Sequence, residues 1–223
     1  MKRIFFSLAL LLAVTALTAQ TNMTAREAAV KIADRILAST TYEFKNTKTG
    51  ETYKSVKKLP LDMNVKVACK YNNWHYTNGV TNMALMELGD KLADKKYEKY
   101  VLKNMNFVFN EGNLEFFRKQ YDEAFKQDGW NAVRKLSWHM IFRGKRLDDN
   151  GPMGASLIEL QMRYPNQSFL DYVNETAEHL NYGEPRLVDG TIARIWPHVN
   201  TIWADDAFMA ISFLARMGKM TGD

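Results

Sequence analysis

The chain has 223 residues, 46% of them hydrophobic and 12% aromatic, which is enough for a sizeable core in one or two domains. Its formal charge of +5 falls to +3 without Lys2 and Arg3, and no clustered basic tract is present, so the balance argues against nucleic acid as a partner. Cys69 is the single cysteine, which rules out an internal disulfide and leaves stability to the core.

Taken in order, MKRIFFSLALLLAVTALTAQ opens with two basic residues, continues with an apolar run from Ile4 to Val14 and closes on small residues at Ala19. That is the pattern of a secretory signal peptide over residues 1–19, followed by a mature domain over 20–223. The run is shorter than the roughly 20 residues of a membrane span. The expectation is therefore export to the periplasm or the cell exterior, with no membrane span.

Thr24 and Glu27 have capping-box spacing, and Ala29, Ile32, Ala33 and Ile36 place a first helix up to about Ser39. From Thr40 to Ala68, Gly50, Pro60 and scattered lysines predict a long loop. Val80, Met83, Ala84 and Leu88 then form a helical stripe behind an aromatic approach that contains Trp74 and His75. Lys96 to Phe109 is amphipathic through Tyr97, Tyr100, Val101, Met105 and Val108, and Asn113 to Phe125 is a more polar helix. Gly151 to Tyr164 and Ser168 to Leu180 read as two more helices, with Pro152 in the first turn of the former. Asp189-Gly190 between short apolar groups marks a hairpin over Arg186 to Arg194. In the last stretch, TIWADDAFMAISFLARMGKMTGD, Ile202, Met209, Phe213 and Met217 recur at helical spacing, widened by Phe208 and Ile211. Helices entered by polar, aromatic loops thus alternate with plainer ones, a pattern that suits inner and outer rings of helical hairpins and equally suits a solenoid.

No metal-binding histidine pair, nucleophile elbow or phosphate-binding glycine loop occurs, so neither a metal nor a cofactor is expected. Carboxylate chemistry remains. Two acidic doublets, Asp148-Asp149 and Asp205-Asp206, each stand at the mouth of an apolar helix. Acids there cap helices, because unpaired N–H groups and the positive dipole end favour a carboxylate. Adjacent acids nevertheless diverge by about 100° around a helix, so one of each pair can turn toward an apolar pocket. If both helices belong to an inner ring, opposed carboxylates face one another across a cleft, the geometry of acid/base work on a glycosidic substrate. Trp74, His75, Trp196, His198 and Trp203 flank the same helix mouths, where aromatic rings can stack on sugars or seal the core. Arg186 and Arg194 flank the hairpin, where an arginine could make a bidentate contact to a uronate carboxylate.

The segments WHYTNGV, RLDDNGPMGASLIEL, RLVDGTIAR and TIWADDAFMAISFLARMGKMTGD resemble, in order from about residue 70 onward, glycoside hydrolase family 105, the unsaturated rhamnogalacturonyl and related uronyl hydrolases. The resemblance implies an all-α (α/α)6 barrel, of which this sequence supplies about half of the twelve helices. It implies hydration of the C4=C5 enol ether that a polysaccharide lyase leaves on a uronate, followed by release of the next sugar. It assigns the proton donor to Asp205 and the second carboxylate to Asp149, with Asp148 close behind. Arg194 and His198 are its candidates for a basic or imidazole group near the hairpin. The expected partner is an unsaturated oligosaccharide, and no metal or cofactor takes part. Two other outcomes are open at this stage: a noncatalytic helical module that binds acidic glycans on the same rim, and an inactive fragment. An open barrel edge would expose apolar side chains, with Met209, Phe213 and Met217 as candidates, and would drive self-association.

Overall fold

The computed structural model describes residues 23–143 and 146–223, so the expected signal peptide over 1–19 lies outside the described residues. The chain divides into two compact units, one ending at Arg35 and one spanning Ile36–Asp223. In the first, the capping box closes: the Thr24 N–H donates to the Glu27 carboxylate at 2.8 Å, and the Glu27 N–H donates back to Thr24 Oγ1 at 3.2 Å. It opens α1, Ala25–Ser39.

The stretch read as a loop carries a small sheet. β1 (Phe44–Asn46) is central, flanked antiparallel by β2 (Thr52–Tyr53) and β3 (Val65–Val67). These strands are too short for a period of two to register in the sequence. What holds the sheet is burial of Phe44 against Phe107, Phe116 and Phe117, with the Gln120 amide donating to the Asp62 and Val65 carbonyls at 2.7 and 2.9 Å.

Helices follow: α2 (Tyr76–Leu92), α3 (Lys96–Val108), α4 (Glu111–Val133, interrupted at Asp128 and Gly129), α5 (Met140–Arg143), α6 (Leu147–Arg163), α7 (Gln167–Glu178) and α8 (Ala204–Thr221). α3 buries the residues its periodicity marks. α2 does not: Val80 and Ala84 face solvent, whereas Asn78, Gly79, Asn82, Leu85, Met86 and Gly89 are inside. The reason is close packing. A Cβ on Gly79 would fall 2.4 Å from the Pro152 carbonyl carbon, so the absence of a side chain lets α6 approach. The Asn78 amide is satisfied by the Lys70 and Asn73 carbonyls, both at 2.9 Å.

Contacts fix the direction of each helix. Gly79 near the start of α2 meets Pro152 near the start of α6, and Asp90 near the end of α2 meets Arg163 at the end of α6. Gly151 meets Met209 near the start of α8, and Glu159 meets Arg216 further along. So α2, α6 and α8 run parallel, side by side, with their N-termini at one end. α3 runs back against them, since Glu98 at its start binds Arg163, and so does α7, whose Thr176 near its end lies by Gly154. Two of the parallel helices, α2 and α6, are returned by antiparallel partners, α3 and α7, and α8 follows as a third parallel helix, so the described residues form an all-α arrangement consistent with part of a six-hairpin fold. α6 is the axis of this part and is buried almost throughout.

On α8, Met209 and Phe213 are buried against α6, not exposed as an open edge would leave them. Phe208, Ile211 and Leu214 are the large apolar residues of α8 that stand exposed, and Met217 is partly covered. No described helix is long and apolar enough to cross a membrane.

Candidate active site

The parallel arrangement brings the starts of α6 and α8 together, and with them both acidic doublets. α6 begins at Leu147, four residues before the glycine where its periodicity starts, so Asp148 and Asp149 lie inside its first turn. Rotation around the helix then separates them. Asp149 turns into the core, is fully buried and is held by Arg143 through both carboxylate oxygens. Asp148 turns outward, half-buried, toward α8. There the doublet separates likewise: Asp206 is buried, while the Asp205 side chain is 51% exposed. Carboxylate oxygens of Asp148, Asp205 and Asp206 lie within 4.8 Å of one another.

Arg194 stands among the three. Its Nε and Nη2 donate to the two oxygens of Asp206 at 2.5 and 2.6 Å, and Nη2 is 3.6 Å from Asp148 and 3.8 Å from Asp205. Its planar group lies 4.1 Å from the centre of the Trp203 ring. The hairpin sets this position, through bridges from Arg186 to Ile192 and from Arg194 to Thr201. The positive charge that three convergent carboxylates require is thus supplied by a guanidinium within the cluster. Burial raises the Asp148 carboxyl above its ordinary range; the Arg194 charge opposes this, and Asp206, Asp205 and Asp149 add to it.

Beside the cluster opens a cavity of about 490 Å³, lined by Arg146, Asp148, Glu184, Arg194, Trp196 and Asp206 among others. Its volume is that of an ordinary small-molecule site. Glu184 accepts from or donates to His179 Nε2 at 2.9 Å, and burial raises its carboxyl.

Four of the candidate residues read from the sequence therefore share one place: Asp148, Asp205, Arg194 and Trp203, with Trp196 on the cavity wall. Trp74 is elsewhere in character. It is wholly buried among Phe109, Trp138 and Tyr172, with its indole N–H donating to the Asp149 carbonyl at 2.8 Å, so it offers no face to a sugar and seals the core. His75 caps α2 by accepting from the Thr77 N–H, and burial lowers its imidazole. His198 is exposed on the hairpin loop and does not line the cavity. Three residues escaped the sequence reading: Asp206, whose doublet was recognised but whose inward turn was not; Arg146, which opens the RLDDNG segment but was given no role; and Glu184, which lies in no motif.

With this geometry in hand, comparison of the sequence with protein families gives a decisive match: the profile of Glycosyl Hydrolase Family 88 covers residues 51–223. The chain belongs to glycosyl hydrolase family 88. No curated protein gives a significant match. The sequence resemblance names family 105 where the matched profile is that of family 88, and the two agree on a glycosidase built of helical hairpins. As a family 88 glycosidase, the protein has a carbohydrate as its substrate.

Proposed function

We propose that this family 88 protein is an exported hydrolase that removes unsaturated uronic acid from the non-reducing end of lyase-generated oligosaccharides, by hydration of the C4=C5 double bond. The observation that carries the reading is the convergence of Asp148 and Asp205, from two different helices, beside a sugar-sized cavity that Asp148 lines. Support also comes from the likeness of the RLDDNG and WADD segments to unsaturated uronyl hydrolases. The leader-like first nineteen residues support export.

Chemically, the reaction needs one proton delivered to C4 and one water added to C5. Asp205, open to the cleft, is placed to donate to C4, and Asp148, whose carboxyl burial raises, is the second carboxylate of the pair. Transfer to C4 leaves positive charge at C5 and on the ring oxygen, and water then adds to C5. Its surplus proton returns to the carboxylate pair, and the hemiketal opens with loss of the next sugar. Asp206 is committed to Arg194 and fixes the guanidinium beneath the pair.

Turnover is followed as loss of the ultraviolet absorbance of the conjugated enol ether. Asp205→Asn should slow it by about 10²- to 10⁴-fold with the fold unchanged. An undiminished rate in a folded Asp205→Asn protein removes the proposed donor. Asp148→Asn should lose a similar factor. If instead Asp149→Asn is the damaging one and Asp148→Asn is not, the second carboxylate is Asp149, and its release from Arg143 becomes part of the cycle.

A further inference from the structure

The charges around the cavity pose a problem for any anionic ligand. Asp148, Glu184 and Asp206 line it and Asp205 stands at its edge, so a carboxylate-bearing sugar finds mostly carboxyl groups around it, which in ionised form repel it and in no form supply a positive charge. A cation not already engaged is required. Arg194 cannot serve, because Asp206 fills its fork and its remaining reach is shared between Asp148 and Asp205. Arg143 is bound through both donors to Asp149. Arg186 spends its donors on the Gly190 and Leu180 carbonyls, both at 2.8 Å. His179 is paired with Glu184.

Arg146 differs from all of these. It lines the same cavity, is exposed, and forms no ion pair with a described residue. Its backbone is anchored: it is the extended residue that precedes α6, and its carbonyl accepts from the Asp149 and Asn150 N–H groups at 3.0 and 3.2 Å. Its guanidinium lies 5.9 Å from the centre of the Trp196 ring, which is itself 65% exposed. A fixed base, a planar fork with no ion-pair partner among the described residues and an open aromatic face beside it are what a carboxylated sugar ring requires, because the fork takes two carboxylate oxygens at once while the ring covers apolar C–H groups.

We infer that Arg146, backed by Trp196, binds the carboxylate of an acidic sugar in this cavity and sets the preference for uronates over neutral sugars. The inference rests on the proposed function for its choice of sugar, but binding tests it without turnover. Equilibrium titration of the full chain with a glucuronate-terminated disaccharide, and with its counterpart in which the carboxylate is reduced to a hydroxymethyl group, reads the preference directly. The unaltered protein should bind the acid about 10-fold or more tightly than the neutral sugar, as expected for a charged hydrogen-bonded pair. Arg146→Gln should remove that preference while leaving neutral-sugar binding and the melting temperature as they were, and Arg146→Lys should restore part of it. An unaltered protein that binds neither sugar, or shows no preference, overturns the inference, as does an Arg146→Gln protein that weakens both equally or neither. In turnover, the matching signature is a raised KM for the unsaturated uronate but not for its methyl ester, with kcat little changed. If the preference and its loss in Arg146→Gln are found without turnover of the unsaturated substrate, this inference stands and the proposed reaction falls; turnover with a KM ratio indifferent to Arg146→Gln gives the reverse.

Discussion

α6 carries a charged cluster at each end, built from the same kinds of side chain to opposite effect. At its C-terminal end Arg163 donates to Asp90 at 2.9 and 2.7 Å and to Glu98 at 2.7 Å, and Glu159 lies 3.7 Å away. The Tyr164 hydroxyl adds a short bond to Glu98, and Arg216 binds Glu159 at 3.0 Å. Asp90 and Glu98 are accordingly held below their ordinary ranges, Asp90 by the Arg163 bonds and Glu98 first by Tyr164 and then by Arg163. At the N-terminal end one arginine faces three carboxylates and forms short bonds to only one of them. Asp148 is left half-buried and is pushed up instead of down. A carboxylate with its own donors is a structural clamp between helices; one that is desolvated and short of donors is a proton carrier in waiting.

That contrast is sharpest under mutation of the shared cation at the clamp. Arg163→Met leaves Glu98, which is nearly buried, with Tyr164 alone, and should cost about 3 kcal/mol. For a chain of this size that is a fall of about 10 °C in Tm, read in a thermal melt at neutral pH. The sign with pH follows from the lowered carboxyls. Their stabilisation is present above the ordinary carboxylate range and is lost as pH falls through the folded-state values, so the unaltered protein should lose stability on acidification and Arg163→Met should lose much less. An unchanged melt would remove the distinction between the two ends. Tyr164→Phe is the milder version: Glu98 keeps Arg163 and loses one donor, for about 1.5 kcal/mol, with sugar turnover unaffected because the site is at the other end of α6.

How far the two ends could be foreseen differs in the same way. The helices were legible where apolar periodicity decides burial, as in α3 with Tyr97, Tyr100, Val101, Met105 and Val108. They were misread where backbones touch: the inner face of α2 is Asn78, Gly79 and Asn82, which no hydrophobicity pattern marks as buried. The sheet at Phe44, Thr52 and Val65 escaped because strands of two or three residues have no period. At the site, both acidic doublets and their convergence could be read from their place before apolar helices. Which member of each pair points into the cleft could not, because that depends on where the helix starts, and one residue of register is about 100° of rotation. α6 starting at Leu147 instead of Gly151 is what sends Asp149 to Arg143 and leaves Asp148 opposite Asp205. The clamp was invisible, since Arg163 is 73 residues from Asp90 and 65 from Glu98 and none belongs to a motif.

The smallest effect has the opposite sign and tests the proposed proton carrier itself. Asp148 has its folded-state carboxyl raised, with burial as the main cause, so its ionised form works against the fold. Below the ordinary aspartate range the group is protonated in both folded and unfolded chains and is neutral in effect. As pH rises through the raised value, the unfolded chain has already released its proton while the folded one must give it up among Asp205, Asp206 and Asp149, and stability is lost. Asp148→Asn removes that charge without changing shape. It should therefore abolish most turnover and yet raise stability at neutral pH by about 0.5 kcal/mol, a difference that shrinks toward zero as the pH is lowered through the window. Paired melts of the two proteins across that range read the effect. A mutant less stable than its parent at neutral pH would mean that the pull of Arg194 on Asp148, across 3.6 Å, outweighs desolvation, and that this end of α6 is a second clamp.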